Sequence, residues 1–164
     1  MGGGRGDFMS TTPMTPGGLV ALHARLRQLR EVERPQNVRD IEEARAHGDL
    51  KENAEYHAAK ERQSHIAGHI KHVESLIASS QVIDPKTLSG DRVVFGATVT
   101  LLDDDDEAVR YQIVGEFEAD LNEGRISYVS PVARALIGKS AGDEVVVKSP
   151  NGNRTVLIDD VEFI

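Results

Sequence analysis

Hydrophobic residues in the first half of the chain recur at intervals of three and four positions, which is the spacing of one face of an α-helix. The first such stripe consists of Leu19, Leu22, Leu26 and Leu29. Pro35 interrupts it, because proline lacks an amide hydrogen and clashes with the preceding turn. We therefore expect a kink or a new helix start between residues 33 and 36. Beyond that point the stripe continues with Val38, Ile41 and Ala44.

A second stripe with the same spacing follows Gly48. It consists of Tyr56, Ala59, Gln63, Ile66, Ile70, Val73 and Ile77. We expect this helix to begin at Asp49. Two helices joined by a short turn that contains glycine form an antiparallel hairpin. With about 30 residues in each arm and a rise of about 1.5 Å per residue, the hairpin would be roughly 40–45 Å long. Its tip would comprise residues 45–56.

After residue 80 the pattern changes to alternation with many β-branched residues, which predicts β-strands. The candidate strands are Arg92–Leu102, Arg110–Gly115, Arg125–Val129, Asp143–Lys148 and Thr155–Ile164. Residues 103–106 and the pair Asn151-Gly152 are typical of turns between antiparallel strands. Residues 133–138 predict one short helix. The fold class is therefore α+β, with a flexible tail over 1–13, a coiled-coil hairpin over 14–84 and a small antiparallel sheet domain over 85–164.

The amino-acid composition argues against several classes of functional site. Aromatic residues make up only 4% of the chain, which argues against an aromatic-lined small-molecule pocket. The absence of cysteine excludes disulfides and thiolate chemistry. No apolar run approaches the roughly 20 residues that span a bilayer, and we expect a cytoplasmic protein that contacts no membrane.

The net charge of −8 is unevenly distributed. Residues 14–84 carry 10 Lys and Arg against 11 Asp and Glu, whereas residues 85–164 carry 8 against 15. Tight non-specific binding of nucleic acid needs clustered Lys and Arg. Any contact with nucleic acid should therefore come from the hairpin or through a protein partner.

Two acids at the predicted tip, Asp49 and Glu52, allow two interpretations that stay open together. As the N-cap of the second helix and its third residue, they would form a capping box. As two hard oxygen ligands on one helix face, they would suit Mg²⁺. They are too few to hold the ion alone, because Mg²⁺ takes six ligands. Such a tip would bind Mg²⁺ only where another molecule supplies the remaining ligands.

Two long motifs carry a resemblance to a known family. RAHGDLKENAEYHAAKE, residues 45–61, and ISYVSPVARALIGKSAGDEV, residues 126–145, resemble bacterial transcript cleavage factors of the GreA/GreB family. VIDPKTLSGDRVVFGATVTL, residues 82–101, fits the same family, and the resemblance runs from Met14 to Ile164. It implies an antiparallel coiled coil that enters the secondary channel of RNA polymerase. It also implies a globular domain of prolyl-isomerase-like (FKBP-like) fold that holds the rim of the channel.

The resemblance also implies the chemistry of the tip. Asp49 and Glu52 would help to hold the second Mg²⁺ of the polymerase active centre, which cleaves the 3′ end of backtracked nascent RNA. The chain would bind no metal alone and would not be an enzyme by itself. The alternative is a regulator that binds the secondary channel without stimulating cleavage. A third hypothesis, a coiled-coil adapter, predicts self-association, whereas an intrachain hairpin uses its own seam and predicts a monomer.

Further residues have supporting roles in these hypotheses. Gly48 would permit the tight reversal and Asn53 would fix the tip loop. Tyr56 would either pack in the seam or stack on an RNA base. Contacts to RNA phosphates are expected from Arg45, Lys51 and Lys60. Ser130 and Pro131 would face the polymerase rim and also start a helix, as Ser at the N-cap and Pro at the first position commonly do.

Two patterns have simpler explanations than metal binding. His65, His69 and His72 share one helix face with the spacing of Zn²⁺ ligands, but we interpret them as a solvated patch. The run DDDDE at 103–107 lacks the glycine and the spaced ligands of an EF-hand loop. We interpret it as a solvated hairpin turn. The sheet fold does not by itself imply isomerase activity.

Overall fold

The computed structural model describes residues 10–49 and 53–164. The chain divides into two compact units. The first includes Leu19–Ser80, and the second comprises Thr11–Gly18 together with Gln81–Ile164. Of the tail predicted over residues 1–13, residues 1–9 lie outside the described part, and Thr12 and Pro13 belong to a strand. Among the residues described, no helix is both long enough and apolar enough to cross a membrane.

The first unit is a helical hairpin. Helix α1 (Pro16–Gln28), a π-helical turn (Leu29–Glu33) and helix α2 (Arg34–Arg45) form one arm, and helix α3 (Ala54–Ala78) forms the other. In the π-helical turn the Arg34 amide donates to the carbonyl of Leu29, five residues earlier. Pro35 then stands in the first turn of α2, directly after the π-helical turn. The predicted new helix start between residues 33 and 36 is confirmed.

The seam of the hairpin is largely the one the spacing predicts. Its buried apolar side chains are Leu22, Leu29, Ile41, Ala44, Ala59, Ile66, Ile70 and Val73. The assignment of Val38 and Gln63 to the seam is wrong, because Val38 is 44% exposed and Gln63 is also exposed. Asn37, which is 1% exposed, takes the place of Val38. Asn37 has helical spacing to Ile41 and Ala44, which are buried as predicted.

The second unit contains two sheets and one short helix. Strands β1 (Thr12–Met14) and β2 (Ser80–Val82) pair with each other. The larger sheet has the order β5-β4-β3-β7-β6. Its strands are β3 (Thr98–Leu102), β4 (Ala108–Val114), β5 (Arg125–Ser127), β6 (Glu144–Ser149) and β7 (Gly152–Glu162). Helix α4 (Pro131–Leu136) packs against the larger sheet. The α+β class is thus confirmed.

The larger sheet is mixed, whereas the sequence predicted an antiparallel one. Strand β5 pairs parallel to β4, and the other neighbours are antiparallel. Two short 3₁₀ turns (Glu116–Glu118 and Leu121–Glu123) occupy the connection from β4 to β5. These turns bring the chain back to the end at which β4 starts, so β5 runs parallel to β4. Strand β3 is also shorter than predicted, since the chain turns at Gly96, whose φ is +90°.

The core of the second unit lies between the sheet and α4. Val99, Leu101, Ile113 and Ile158 from the central strands are fully buried, and so is Leu136 of α4. Burial of apolar surface at about 25 cal/mol per Å² is the main force that holds such a layer together. Because α4 lies on this core, the residues that begin the helix have a fixed position relative to the sheet.

Glu118 contacts Thr15 and Gly18, which belong to the second unit together with it. Its carboxylate accepts hydrogen bonds from the amides of Thr15 (3.1 Å) and Gly115 (2.9 Å), and from the Thr15 hydroxyl. A Cβ atom on Gly18 would lie 2.5 Å from the Glu118 Cδ atom. Gly18 therefore leaves the space that this carboxylate occupies.

Substitution Gly18→Ala is expected to lower the free energy of unfolding of the second unit by about 1–3 kcal/mol, the usual cost of overpacking. The new methyl group must displace Glu118 and so break its bonds to Thr15. Urea unfolding measures the effect. Gly17→Ala is the matched control, because its Cβ would have Thr15 Oγ1 at 3.8 Å as its nearest neighbour. Equal losses for the two variants would contradict the proposed steric cause.

Candidate functional site: the tip of the hairpin

The chain reverses direction directly after α2. The helix ends at Arg45 with Ala46 as its C-cap, and turn residues follow up to Gly48. Gly48 has a φ of +116°, a backbone conformation that side chains with a Cβ rarely adopt. Glycine is therefore required at the point where the tip begins.

Asn53, and not Asp49, is the N-cap of helix α3. Its Oδ1 accepts a hydrogen bond from the Tyr56 amide (3.1 Å), and its Nδ2 donates to the carbonyl of Ala44 (2.6 Å). The prediction that α3 begins at Asp49, with Asp49 as its N-cap, is wrong. Glu52, the other residue of the predicted capping box, lies outside the described residues. Asn53 is favoured as the cap because its side-chain amide pairs with a backbone N–H in the first turn of α3 and with a backbone carbonyl in the last turn of α2.

Asp49 follows Gly48 and its side chain is exposed. Together with His47, Asn53, Ala54 and Glu55 it lines an open depression of about 440 Å³ at the end of the hairpin. Of the other tip residues named from the sequence, Lys51 and Glu52 lie outside the described residues. Whether the two acids share a face is therefore a prediction that the described residues leave untested.

Arg45 and Tyr56 form a pair at the base of the tip. The Arg45 guanidinium lies 5.9 Å from the centre of the Tyr56 ring, within the range of a cation–π interaction. Tyr56 is half-buried, and its ring meets that of His57 edge to face. The two interpretations of Tyr56, packing and stacking, are therefore compatible with its position.

Lys60 lies apart from this group. Its Nζ donates to Gln63 Oε1 (2.8 Å), and its side chain lines a different cleft between α2 and α3. The structure thus brings Arg45, Gly48, Asp49, Asn53 and Tyr56 together at the tip. It does not bring Lys60 to the same place.

The sequence did not predict one contact at the tip. His47 Nδ1 lies 3.0 Å from Glu55 Oε2, which links the end of α2 to the first turn of α3. The two residues are eight positions apart across a turn, so no helical period relates them. Only the nearby glycine gave a signal that such a contact could form.

The described residues contain no group of three or more Asp, Glu, His or Cys side chains arranged to hold a metal ion. His65, His69 and His72 lie exposed along α3. The acidic run forms the turn from β3 to β4, where Asp103 Oδ1 accepts from the amides of Asp105 and Glu107. The prediction of a hairpin turn at this run is confirmed.

Ser130 and Pro131 occupy the start of helix α4. Ser130 Oγ accepts from the Ala133 amide (3.2 Å), and Pro131 stands at the first helical position. The helix-starting role predicted for the two residues is confirmed. Pro131 is also exposed, so it is available for a contact with another molecule.

Comparison with known proteins places both units in one family. Residues 12–82 match the family model "Transcription elongation factor, N-terminal". Residues 88–163 match "Transcription elongation factor, GreA/GreB, C-term". Both matches keep the order and nearly the whole length of the described chain.

Relatives agree with these matches. The chain is 60% identical over 157 residues to transcription elongation factor GreA of Anaeromyxobacter sp. (strain K), covering 95% of each chain. It is 55% identical to that of Novosphingobium aromaticivorans, covering 93% of this chain and 96% of the other. The crystal structure of GreA factor homolog 1 of Thermus thermophilus is 24% identical, with a TM-score of 0.42 over 93% of this chain and 98% of the other, too low to support an argument. The chain belongs to the GreA/GreB family of transcription elongation factors.

Proposed function

We propose that this elongation factor inserts its hairpin into the secondary channel of RNA polymerase and stimulates endonucleolytic cleavage of the 3′ end of backtracked nascent RNA. The observation that carries the proposal is the position of Asp49. Its exposed carboxylate follows the reversal at Gly48, at the end of the hairpin. Asn53 ties the two arms together just behind it.

In this proposal the tip donates ligands and does not form a complete site. Asp49 and Glu52 supply carboxylate oxygens, the ligand type that Mg²⁺ prefers. Two carboxylates leave most of the six positions around Mg²⁺ unfilled, so the polymerase and the RNA would supply the remaining ligands. Such an ion would position and activate the water that attacks the RNA phosphodiester. The factor itself is not an enzyme.

Neighbouring residues would orient the RNA at the tip. The Arg45 guanidinium lies over the Tyr56 ring, so a cation for a phosphate and an aromatic ring for a base stand at the same place. Lys51 and Lys60 would add phosphate contacts, although Lys60 lies in a separate cleft. Ser130 and Pro131 would contact the rim of the polymerase channel. We propose that the factor acts as a monomer in the cytoplasm.

The proposal is tested with a stalled, backtracked elongation complex that carries 3′-labelled RNA and Mg²⁺. Addition of the wild-type factor is expected to release short 3′ fragments many-fold faster than the polymerase does unaided. Binding of the factor to the polymerase is measured in parallel. Binding without faster release would contradict the proposal and favour the alternative, a channel-binding regulator.

A further inference from the structure

The seam of the hairpin contains one buried polar side chain among the described residues of the first unit, Asn37. Its Nδ2 donates to the carbonyl of Ala59 in α3 at 2.9 Å. Buried amide groups are costly unless they are paired, and here the partner is a backbone atom of the opposite arm. The bond therefore links α2 to one particular residue of α3.

The apolar seam alone fixes the relative position of the arms less strictly. Apolar contacts have no direction, so a stripe of Leu, Ile, Val and Ala tolerates sliding. If α3 slid by one residue, the Ala59 carbonyl would move about 1.5 Å along the axis and rotate away from Asn37. If it slid by one turn, Tyr56 or Gln63 would replace the small Ala59 opposite Asn37. The slip by one residue leaves the buried amide without its partner, whereas the slip by one turn places a larger side chain against Asn37 in the packed seam.

A second bond of the same kind acts from the other arm. Asn53, at the start of α3, donates to the Ala44 carbonyl in α2 at 2.6 Å. The two asparagines thus donate in opposite directions between the arms, one at the tip and one further down the hairpin. Together they define where each residue of α2 lies along α3.

We propose that Asn37 is a positioning residue that sets the register of α2 against α3 and thereby the height at which Asp49 and Glu52 are presented. The inference rests on the proposed function, because only a shared metal site makes the height of the tip important. Groups that act on a reacting centre must be held close to their productive geometry. A single buried asparagine in a helical seam specifies register at a cost in stability. Asn37 would therefore place the tip correctly, although an apolar residue at this position would make the hairpin more stable.

The substitution Asn37→Leu tests this, since it keeps a side chain of similar size and removes the donor. Asn37 lines a cleft of about 630 Å³ between α2 and α3, which leaves room for repacking. We expect the midpoint of thermal unfolding of the hairpin to stay equal or rise. The maximal rate of RNA cleavage at saturating factor should fall about 10-fold, whereas the half-saturating concentration should stay within about twofold. Val38→Leu, at the exposed neighbouring position, is the matched control and should change neither.

The register of α2 against α3 is measured by spin-label distances, which do not depend on RNA cleavage. The chain has no cysteine, so Glu42→Cys and His65→Cys, both at exposed positions, allow spin labels on α2 and α3. The Asn37 protein should give one narrow distance distribution. The Asn37→Leu protein should give a broader one or a second maximum displaced by up to about 5 Å, the pitch of one turn. Asn37→Met, with an adaptable side chain, replaces Asn37→Leu should the latter lose helical content.

The results distinguish a failure of the proposed function from a failure of the proposed role of Asn37. If the wild-type factor stimulates no cleavage, the proposed function fails, and the spin-label distances still decide the role of Asn37 in register. If Asn37→Leu keeps the narrow distance of wild type, the register proposal is overturned, whatever the cleavage rate. If the register changes but cleavage stays complete, the placement of the tip does not depend on Asn37. Changed register together with slower cleavage supports the inference.

Discussion

Replacing Asp49 and Glu52 together by alanine is expected to slow factor-stimulated RNA cleavage about 100-fold, the upper range for losses at a metal site. Affinity for the polymerase should change little, because the proposed rim contacts at Ser130 and Pro131 belong to the other unit. The N-cap of α3 is Asn53, which the double variant keeps. Cleavage of 3′-labelled RNA in backtracked complexes, at factor concentrations that saturate the polymerase, measures the effect.

The matched control for this double variant is Glu43→Ala with Glu61→Ala. It removes the same charge from exposed positions on α2 and α3, so it corrects for a general effect of charge on entry into a channel. We expect its cleavage rate to stay close to that of wild type. Equal losses in the two double variants would mean that charge alone, and not the tip carboxylates, determines the stimulation.

Leu136→Ala is expected to lower the free energy of unfolding of the second unit by about 2–5 kcal/mol. The side chain is fully buried in helix α4, within the core that includes Val99 and Ile158. Its loss leaves a cavity that the sheet fills only in part. For a domain of this size the unfolding midpoint should fall by roughly 8–40 °C. Near-ultraviolet circular dichroism follows the change through Tyr111 and Tyr128, which pack against that core.

The neighbouring residue supplies the control for Leu136. Ile137 is 38% exposed, so Ile137→Ala removes a similar side chain with much less burial. We expect a loss of about 1 kcal/mol or less. If α4 also presents Ser130 and Pro131 to the polymerase, Leu136→Ala should weaken binding to the polymerase more than Ile137→Ala does. Equal destabilisation by both variants would contradict the position assigned to α4.

The sequence predicted the helices and most strands because their signals are local. Spacings of three and four identified both arms of the hairpin, and alternation identified the strands of the larger sheet. No local pattern predicted that Asn37, and not Val38, is buried in the seam. A proline predicts that a helix is interrupted, but it does not reveal that a π-helical turn precedes it.

The errors at the tip and in the sheet have a common origin in contacts between distant positions. The sequence Asp-x-x-Glu satisfies the local rule for a capping box. Asn53 is nevertheless the cap, because it also bonds to Ala44 across the turn. Alternation likewise shows which residues share a face of a strand, but not its direction. The parallel pairing of β5 with β4 depends on the 3₁₀ turns that connect them.

A Mg²⁺ titration of cleavage measures whether the tip shares a Mg²⁺ with the polymerase. The rate is measured with no factor, with wild type and with Asp49→Asn, which keeps the shape of the side chain but removes its charge. Wild type is expected to lower the half-saturating Mg²⁺ concentration about 10-fold, and Asp49→Asn is expected to abolish this shift while still binding the polymerase. Identical Mg²⁺ dependence for wild type and Asp49→Asn would rule out a shared ion held by Asp49.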